Sequence, residues 1–192
     1  MLRKLYDKIL NKSAKPGAEY CLGLVSFCES SFFPIPPDIL LLPMVLARPD
    51  KWFRIALITT IFSILGGLFG YMIGVFLWDL LGEPIINFYN LQEKFGIFKD
   101  NYNENGAIIV FIGGVSPIPY KLITIASGGL QLNIYIFVLA SLFSRGCRFF
   151  ILAALLRIFG ELTKKFIENN FTLITSIIGI ILLLGVIIAI YF

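Results

Sequence analysis

The stretch SFFPIPPDILLLP, residues 31–43, limits what this chain can fold into more than any other. It is apolar enough for a membrane helix, yet Pro34, Pro36, Pro37 and Asp38 lie at its centre. Proline lacks an amide donor and pushes the residue before it away from helical geometry. A second stretch, VSPIPYKLITI at 115–125, repeats the spacing with Pro117 and Pro119, and Lys121 stands at the position matching Asp38. Backbone broken at membrane depth is stable only where protein buries it or it lines a wet cavity. Each stretch therefore predicts a re-entrant helical hairpin with its prolines at the tip. Limbs of about 10–14 residues, rising ~1.5 Å each, would cover roughly half the hydrocarbon. The competing reading is a single proline-kinked helix that spans.

Composition supports lipid as the solvent. The chain of 192 residues is 58% hydrophobic and 15% charged, where soluble proteins are about 45–50% apolar. Histidine is absent, and Cys21, Cys28 and Cys147 show no metal-ligand or redox spacing. No Ser/His pairing, dinucleotide fingerprint or phosphate loop occurs. We expect neither an enzyme nor a bound metal or cofactor, although an all-carboxylate or lysine-based site stays open.

Five apolar stretches follow one another, at 20–47, 55–81, 107–130, 134–159 and 172–192. The second, fourth and fifth are long enough to span about 30 Å of hydrocarbon. The expected fold is an all-α integral membrane protein with two re-entrant hairpins and about three transmembrane helices. Residues 1–19 form an amphipathic N-terminal segment, 20–171 the membrane domain, and 172–192 a C-terminal transmembrane helix. A shift of 83 residues lays Pro34, Pro36 and Asp38 on Pro117, Pro119 and Lys121. The repeats run about 20–83 and 107–161 and end in Leu81-Gly82-Glu83 and Phe159-Gly160-Glu161. If both hairpins re-enter, they insert from opposite sides, giving the inverted repeat of secondary transporters. The count of Lys and Arg is then eleven inside and two outside, against ten and three if both span. This sets the N-terminus in the cytoplasm by the positive-inside rule, with only a small margin between the topologies.

Charges inside apolar segments are functional hypotheses by default. Glu29 lies in the first limb, where it would carry protons or sit at a wet interface. Asp38 and Lys121 are expected to face one another across the two tips. Arg145 and Arg148, spaced three apart, share a helix face; they line the second tip or cap a helix that ends there. Gly66, Gly70 and Gly74, four apart, form a small-residue face for close helix packing. Residues 83–105 are expected to be a solvated loop.

Taken together, Glu29 with FFPIPPD, GGLFGYMIG at 66–74, SPIPYKLITIASG at 116–128 and SRGCRFF at 144–150 carry a resemblance. Over about residues 20–160 the chain resembles the DedA (VTT-domain, SNARE-associated-type) membrane family, in its YqaA-like branch. The resemblance implies two facing re-entrant hairpins and transport of a membrane lipid, by flippase- or scramblase-like exchange. It implies a phospholipid or polyprenyl-phosphate partner, proton coupling through Glu29 and Asp38, and a bacterial inner membrane. Typical members place arginines three residues before and after the second hairpin's proline; here those positions are Gly114 and Tyr120. Lys121, Arg145 and Arg148 are the cations left to replace them, and an amine-bearing phospholipid becomes an option. A small-ion or metabolite antiporter and a non-transporting scaffold are the alternatives.

Overall fold

The protein, described from a computed structural model, is helical throughout residues 17–33, 35–116 and 119–169, with no strand among these described residues. Residues 1–16 of the amphipathic segment, Pro34, Pro117 and the expected C-terminal helix at 172–192 lie outside the described residues. Helix α1 (Ala18–Ser31) and helix α2 (Asp38–Ala47) flank the first proline break. A short 3-10 turn, Pro49–Lys51, leads into α3 (Trp52–Leu77), which runs through a π-helical turn at Trp78–Gly82 into α4 (Glu83–Phe88). Helix α5 (Gln92–Glu104) precedes α6 (Gly106–Val115) and α7 (Tyr120–Gly129), which flank the second break. Helix α8 (Ile134–Asn169) closes the described chain.

The prolines act where sequence places them. Pro37 and Pro119 stand at the N-caps of α2 and α7, where a missing amide costs nothing. Pro43 lies inside α2 without ending it. Two helices, within 49–88 and 134–160, are long and apolar enough to cross a bilayer.

Contacts along the helices fix their directions. Trp52 lies under Arg157, Ser63 meets Arg145, and Tyr71 packs on Phe137. Ascending numbers on α3 thus meet descending numbers on α8, and the two helices are antiparallel. Each pair of short helices returns to the end from which it came. Glu19 at the start of α1 is ion-paired to Arg48, just past the end of α2. A Cβ on Gly106, at the start of α6, would strike Leu132, just past the end of α7. The first pair therefore opens at the end of the bundle holding the start of α3, and the second at the end holding the start of α8. The partners also exchange in step: α1 packs on α3 and α6 on α8, while α7 packs on α3 and α2 on α8.

Close packing of α3 rests on glycine. A Cβ on Gly66 would collide with the carbonyl of Phe27 in α1, and one on Gly74 with the carbonyl of Ile125 in α7. Gly70, between them, lies against Ser30 and Thr124. The three glycines admit limbs from both pairs onto one helix, at separations no side chain would allow.

Two expectations need correction. Residues 83–105 are mainly helical rather than a solvated loop. Phe95 and Tyr102 of α5 face inward: Phe95 stacks on Trp78 at 4.4 Å and Tyr102 shares a 2.9 Å hydrogen bond with Ser127. The segment is too polar to register in a hydropathy scan, but its aromatic spacing is amphipathic. Helix α8 also passes beyond 159 to Asn169, because Gly160 abuts Leu46 and does not interrupt the helix.

The interior is layered. One apolar cluster, built on Leu22, Leu41, Met44, Ile55 and Phe149, fills the end near Glu19. Another, built on Val110, Leu132, Phe137 and Ala140, fills the opposite end. Between them lie buried hydroxyls and charges, among them Ser30, Ser63, Thr124, Ser141, Glu29 and Arg145.

Candidate functional site

The polar layer is organised by the two arginines of α8. Arg145 is sealed, with 2% of its surface exposed. Its Nη2 donates to Glu29 Oε2 at 2.6 Å and its Nε to Ser63 Oγ at 2.7 Å. Ser63 shares a 2.8 Å hydrogen bond with Ser30, whose hydroxyl donates to Glu29 at 3.3 Å. The guanidinium lies between the rings of Tyr120 and Phe149, each centroid 4.7 Å away. The Tyr120 hydroxyl donates to Ser141, and Thr124 Oγ1 donates to the carbonyl of Ser30 at 3.0 Å. A charge this deep is tolerable only when paired and hydrogen-bonded, and this network supplies a carboxylate and a hydroxyl partner. It joins α1, α3, α7 and α8.

Arg148, one turn later, does something different. Its Nη1 donates to the carbonyl of Ser116 at 2.8 Å and its Nη2 to Asp38 Oδ2 at 2.6 Å. Ser116 lies in the second break and Asp38 opens the helix after the first. One guanidinium therefore holds the two breaks together. Unlike the inner pair, this one is reachable: the side chains of Arg148 and Asp38 are 24% and 22% exposed. The other Asp38 oxygen, Oδ1, is buried without a hydrogen-bond partner among the described residues.

The expected meeting of Asp38 with Lys121 is not found. Asp38 takes Arg148 instead, because a fork-shaped guanidinium reaching from α8 can bond a carbonyl and a carboxylate at once. Lys121 is half-buried at the start of α7, and its ammonium makes no ion pair among the described residues. The structure thus brings together Glu29 with Arg145 and Asp38 with Arg148, and leaves Lys121 apart. The two arginines do not cap a helix end, since α8 continues well past them. Of the tip prolines, Pro36, Pro37 and Pro119 border the breaks.

Sequence reading missed a third charged group. Glu19 is buried and takes Arg48 at 3.0 Å on one oxygen and Arg54 at 2.9 Å on the other. Arg48 is mostly enclosed, and its Nε and Nη2 lack partners among the described residues. The signal was an acidic residue at the start of α1, with one arginine just past the end of α2 and another in the first turn of α3. The hydroxyl layer was missed as well, because serine and threonine inside apolar runs look alike whether they face lipid or a neighbouring helix. Among the described residues no cluster of His, Cys, Asp and Glu could hold a metal ion, and the three cysteines are unpaired.

No family model matches the chain, and no solved structure matches it. Two bacterial proteins do. One, from Haemophilus influenzae and named as an uncharacterized protein, is 36% identical over 157 residues, covering 82% of this chain and 81% of its own length. The other, the "HI0703 homolog" of Histophilus somni, also named as uncharacterized, is 32% identical over 151 residues, covering 79% of this chain and 78% of its own. Matches of that identity over most of both sequences place the chain, with its two proline breaks and its paired arginines, in the family of these Haemophilus and Histophilus proteins.

Proposed function

We propose that this family is a YqaA-like branch of the DedA (VTT-domain) membrane proteins, and that the chain moves phosphate-bearing lipid headgroups between the leaflets of a bacterial inner membrane. On this reading the two helical pairs are re-entrant hairpins of an inverted repeat. Their opening at opposite ends of antiparallel α3 and α8 supports it, as does the step-wise exchange of packing partners. The end bearing Arg48, Lys51 and Arg54 faces the cytoplasm, in keeping with the positive-inside rule.

The observation that carries the transport reading is Arg148. A cation that ties two helix breaks together at mid-height, through a carboxylate left partly open, is built for exchange. A headgroup phosphate offers the same two-oxygen geometry as a carboxylate and can take over the guanidinium fork. Asp38, released, keeps the site neutral by taking a proton, which would couple lipid movement to the proton gradient. Arg145 and Glu29 hold the frame in which this happens. The proton role therefore moves from Glu29, sealed against its partner, to Asp38.

The test is flux of headgroup-labelled lipid in proteoliposomes, with and without an imposed pH gradient. Arg148→Lys should impair flux at least tenfold, the effect of losing about 1.4 kcal/mol of fork-specific bonding. Lys51→Arg, at an exposed loop position, should not. Gradient dependence should vanish in Asp38→Asn. Full flux in Arg148→Lys would remove the exchange mechanism. A wild type that moves no lipid but exchanges a small ion against protons would establish the antiporter instead.

A further inference from the structure

The charged group at the end of the bundle where α3 begins takes no part in the exchange at Arg148. Arg48 is fixed at its root: its amide donates to the carbonyl of Met44 at 3.0 Å, and its own carbonyl accepts from the amide of Lys51 at 3.0 Å. Its side chain is 11% exposed, and Glu19 bonds Nη1 alone. Nε and Nη2, both buried, have no partner among the described residues. These two nitrogens form one edge of the guanidinium, along which two N–H bonds run parallel. That edge is the fork that takes two oxygens of a carboxylate or a phosphate. Buried donors on a charged group are costly to leave unmet. We propose that this edge of Arg48, with Arg54 beside it, holds the phosphate of an anionic phospholipid resident in the leaflet at that end, separate from any headgroup exchanged at Arg148.

Charge, depth and position point to that ligand. Glu19 is shared between Arg48 and Arg54, whose Nε donates to it at 2.9 Å, so two guanidiniums lean on one carboxylate. Exposed Asp50 and Lys51 cancel one another, and the group keeps one positive charge, to which Arg157 over Trp52 adds. An anionic phosphodiester offsets that excess; a zwitterionic headgroup brings no net charge to do so. Arg54 precedes Ser63 by nine residues on α3, roughly 14 Å along the axis. Ser63 belongs to the polar layer at mid-height, and half of a hydrocarbon core of about 30 Å is about 15 Å. The group therefore stands at headgroup level, where basic clusters attract anionic lipids and where aromatic residues such as Trp52 and Phe53 collect. It also borders the outside of the bundle: Arg54 is 68% exposed, and Tyr20, next to Glu19, faces outward. The same distance of roughly 14 Å from the polar layer makes this lipid a resident one, not cargo.

The experiment is native mass spectrometry of the full-length protein in micelles titrated with phosphatidylglycerol or phosphatidylcholine, with retained lipid counted. Phosphatidylglycerol should bind about fivefold more tightly than phosphatidylcholine, the effect of one net charge near a membrane surface. Arg48→Lys keeps the charge but has no fork, and should weaken retention of one phosphatidylglycerol about tenfold. It should do so equally in an Arg148→Lys background, which separates this lipid from one at the exchange site. Arg54→Gln, at an exposed position, leaves the fork but removes the excess charge, and should bring the two lipids within about twofold of one another. Equal retention in Arg48→Lys and its parent, or an undiminished preference for phosphatidylglycerol in Arg54→Gln, would overturn the proposal. Displacement of the lipid by millimolar inorganic phosphate at equal ionic strength would overturn the lipid assignment in favour of free phosphate at the same fork. Retention that appears only after Asp7, the one acid in residues 1–16, is replaced by Asn would also overturn it, because the fork is then taken within the chain. Retention through Arg48 in a protein that moves no lipid would support this site and overturn only the transport reading.

Discussion

The inner pair allows a quantitative test of how the polar layer holds the bundle. Arg145→Leu removes the cation while Glu29 stays behind, still flanked by Ser30 and enclosed by four helices. Breaking a buried pair by deleting one partner costs about 3–5 kcal/mol, because the remaining charge is uncompensated. The lost contacts with Tyr120 and Phe149, worth roughly 0.5–2 kcal/mol each when desolvated, fall inside that figure rather than adding to it. Glu29→Gln alone strands the guanidinium, which keeps Ser63 and one neutral acceptor, so its cost should lie toward the lower end of the range. The double variant leaves no buried charge. It should therefore be less destabilised than the sum of the singles by about 2–3 kcal/mol, the upper part of the range for coupled neighbours. The assay is reversible unfolding in mixed micelles titrated with denaturing detergent, read as a four-member cycle. The same cycle on Asp38 and Arg148, each about a quarter exposed, should give no more than about 1 kcal/mol. Additivity of the inner pair within about 0.5 kcal/mol would refute the claim that Arg145 and Glu29 compensate one another.

Gly66→Ala and Gly74→Ala should each destabilise by about 1–3 kcal/mol by forcing helix backbones apart, whereas Gly96→Ala in α5, with open space around it, should stabilise by roughly 0.5–1 kcal/mol; thermal denaturation in detergent checks all three. Single cysteines at Asp50 and Tyr135, in a protein otherwise free of cysteine, should react with an impermeant maleimide from opposite faces of oriented vesicles; Tyr135 serves better than its neighbour Leu132, which is buried. Exchanging the outer charges, Asp38→Arg with Arg148→Asp, should recover folded yield lost in either single variant, while Asp38→Lys with Lys121→Asp should not. Arg48→Lys should lower stability, measured in the same micelle assay, through the orphaned hold on Glu19, with headgroup flux per folded molecule unchanged.

The broad plan was readable because proline and hydrophobic length act locally. Clustered prolines break a helix where the lone Pro43 does not, so both breaks fell where Pro36, Pro37 and Pro119 stand. The glycine spacing on α3 likewise announced close approach, though not that two different limbs would share it. Pairing among charges was not readable, because it depends on how helices distant in sequence are rotated against one another. Glu29 and Arg145 are 116 residues apart, and Asp38 and Arg148 are 110 apart. The matching of Asp38 to Lys121 by repeat position suggested a partner that the packing does not supply. Arg148 of α8 bonds Asp38 and the Ser116 carbonyl instead. Helix α5 escaped notice for a different reason: its buried face is two aromatic side chains wide, too narrow to lift the average hydropathy of a segment rich in Glu, Asp and Asn.

The three-residue spacing of Arg145 and Arg148 explains why two like charges on one helix can have separate tasks. A step of three residues rotates the side chain by about 60° short of a full turn and moves it roughly 4.5 Å along the axis. At Arg145 that direction meets Ser63 and Glu29, between α1 and α3, where water has no access. At Arg148 it meets the two breaks, bonding the carbonyl of Ser116 and the carboxylate of Asp38. The inner pair is neutral and closed, so it adds rigidity without changing the charge of the opening. The outer pair of Asp38 and Arg148 is neutral as well, and Lys121 stands apart from it. On the transport reading, one phosphodiester that takes the guanidinium leaves Asp38 uncompensated until it takes up a proton. A doubly charged phosphate monoester would leave an excess negative charge even after Asp38 took up a proton. On that reading the charge balance at the breaks favours a singly charged headgroup and makes protonation of Asp38 the condition for its exchange at Arg148.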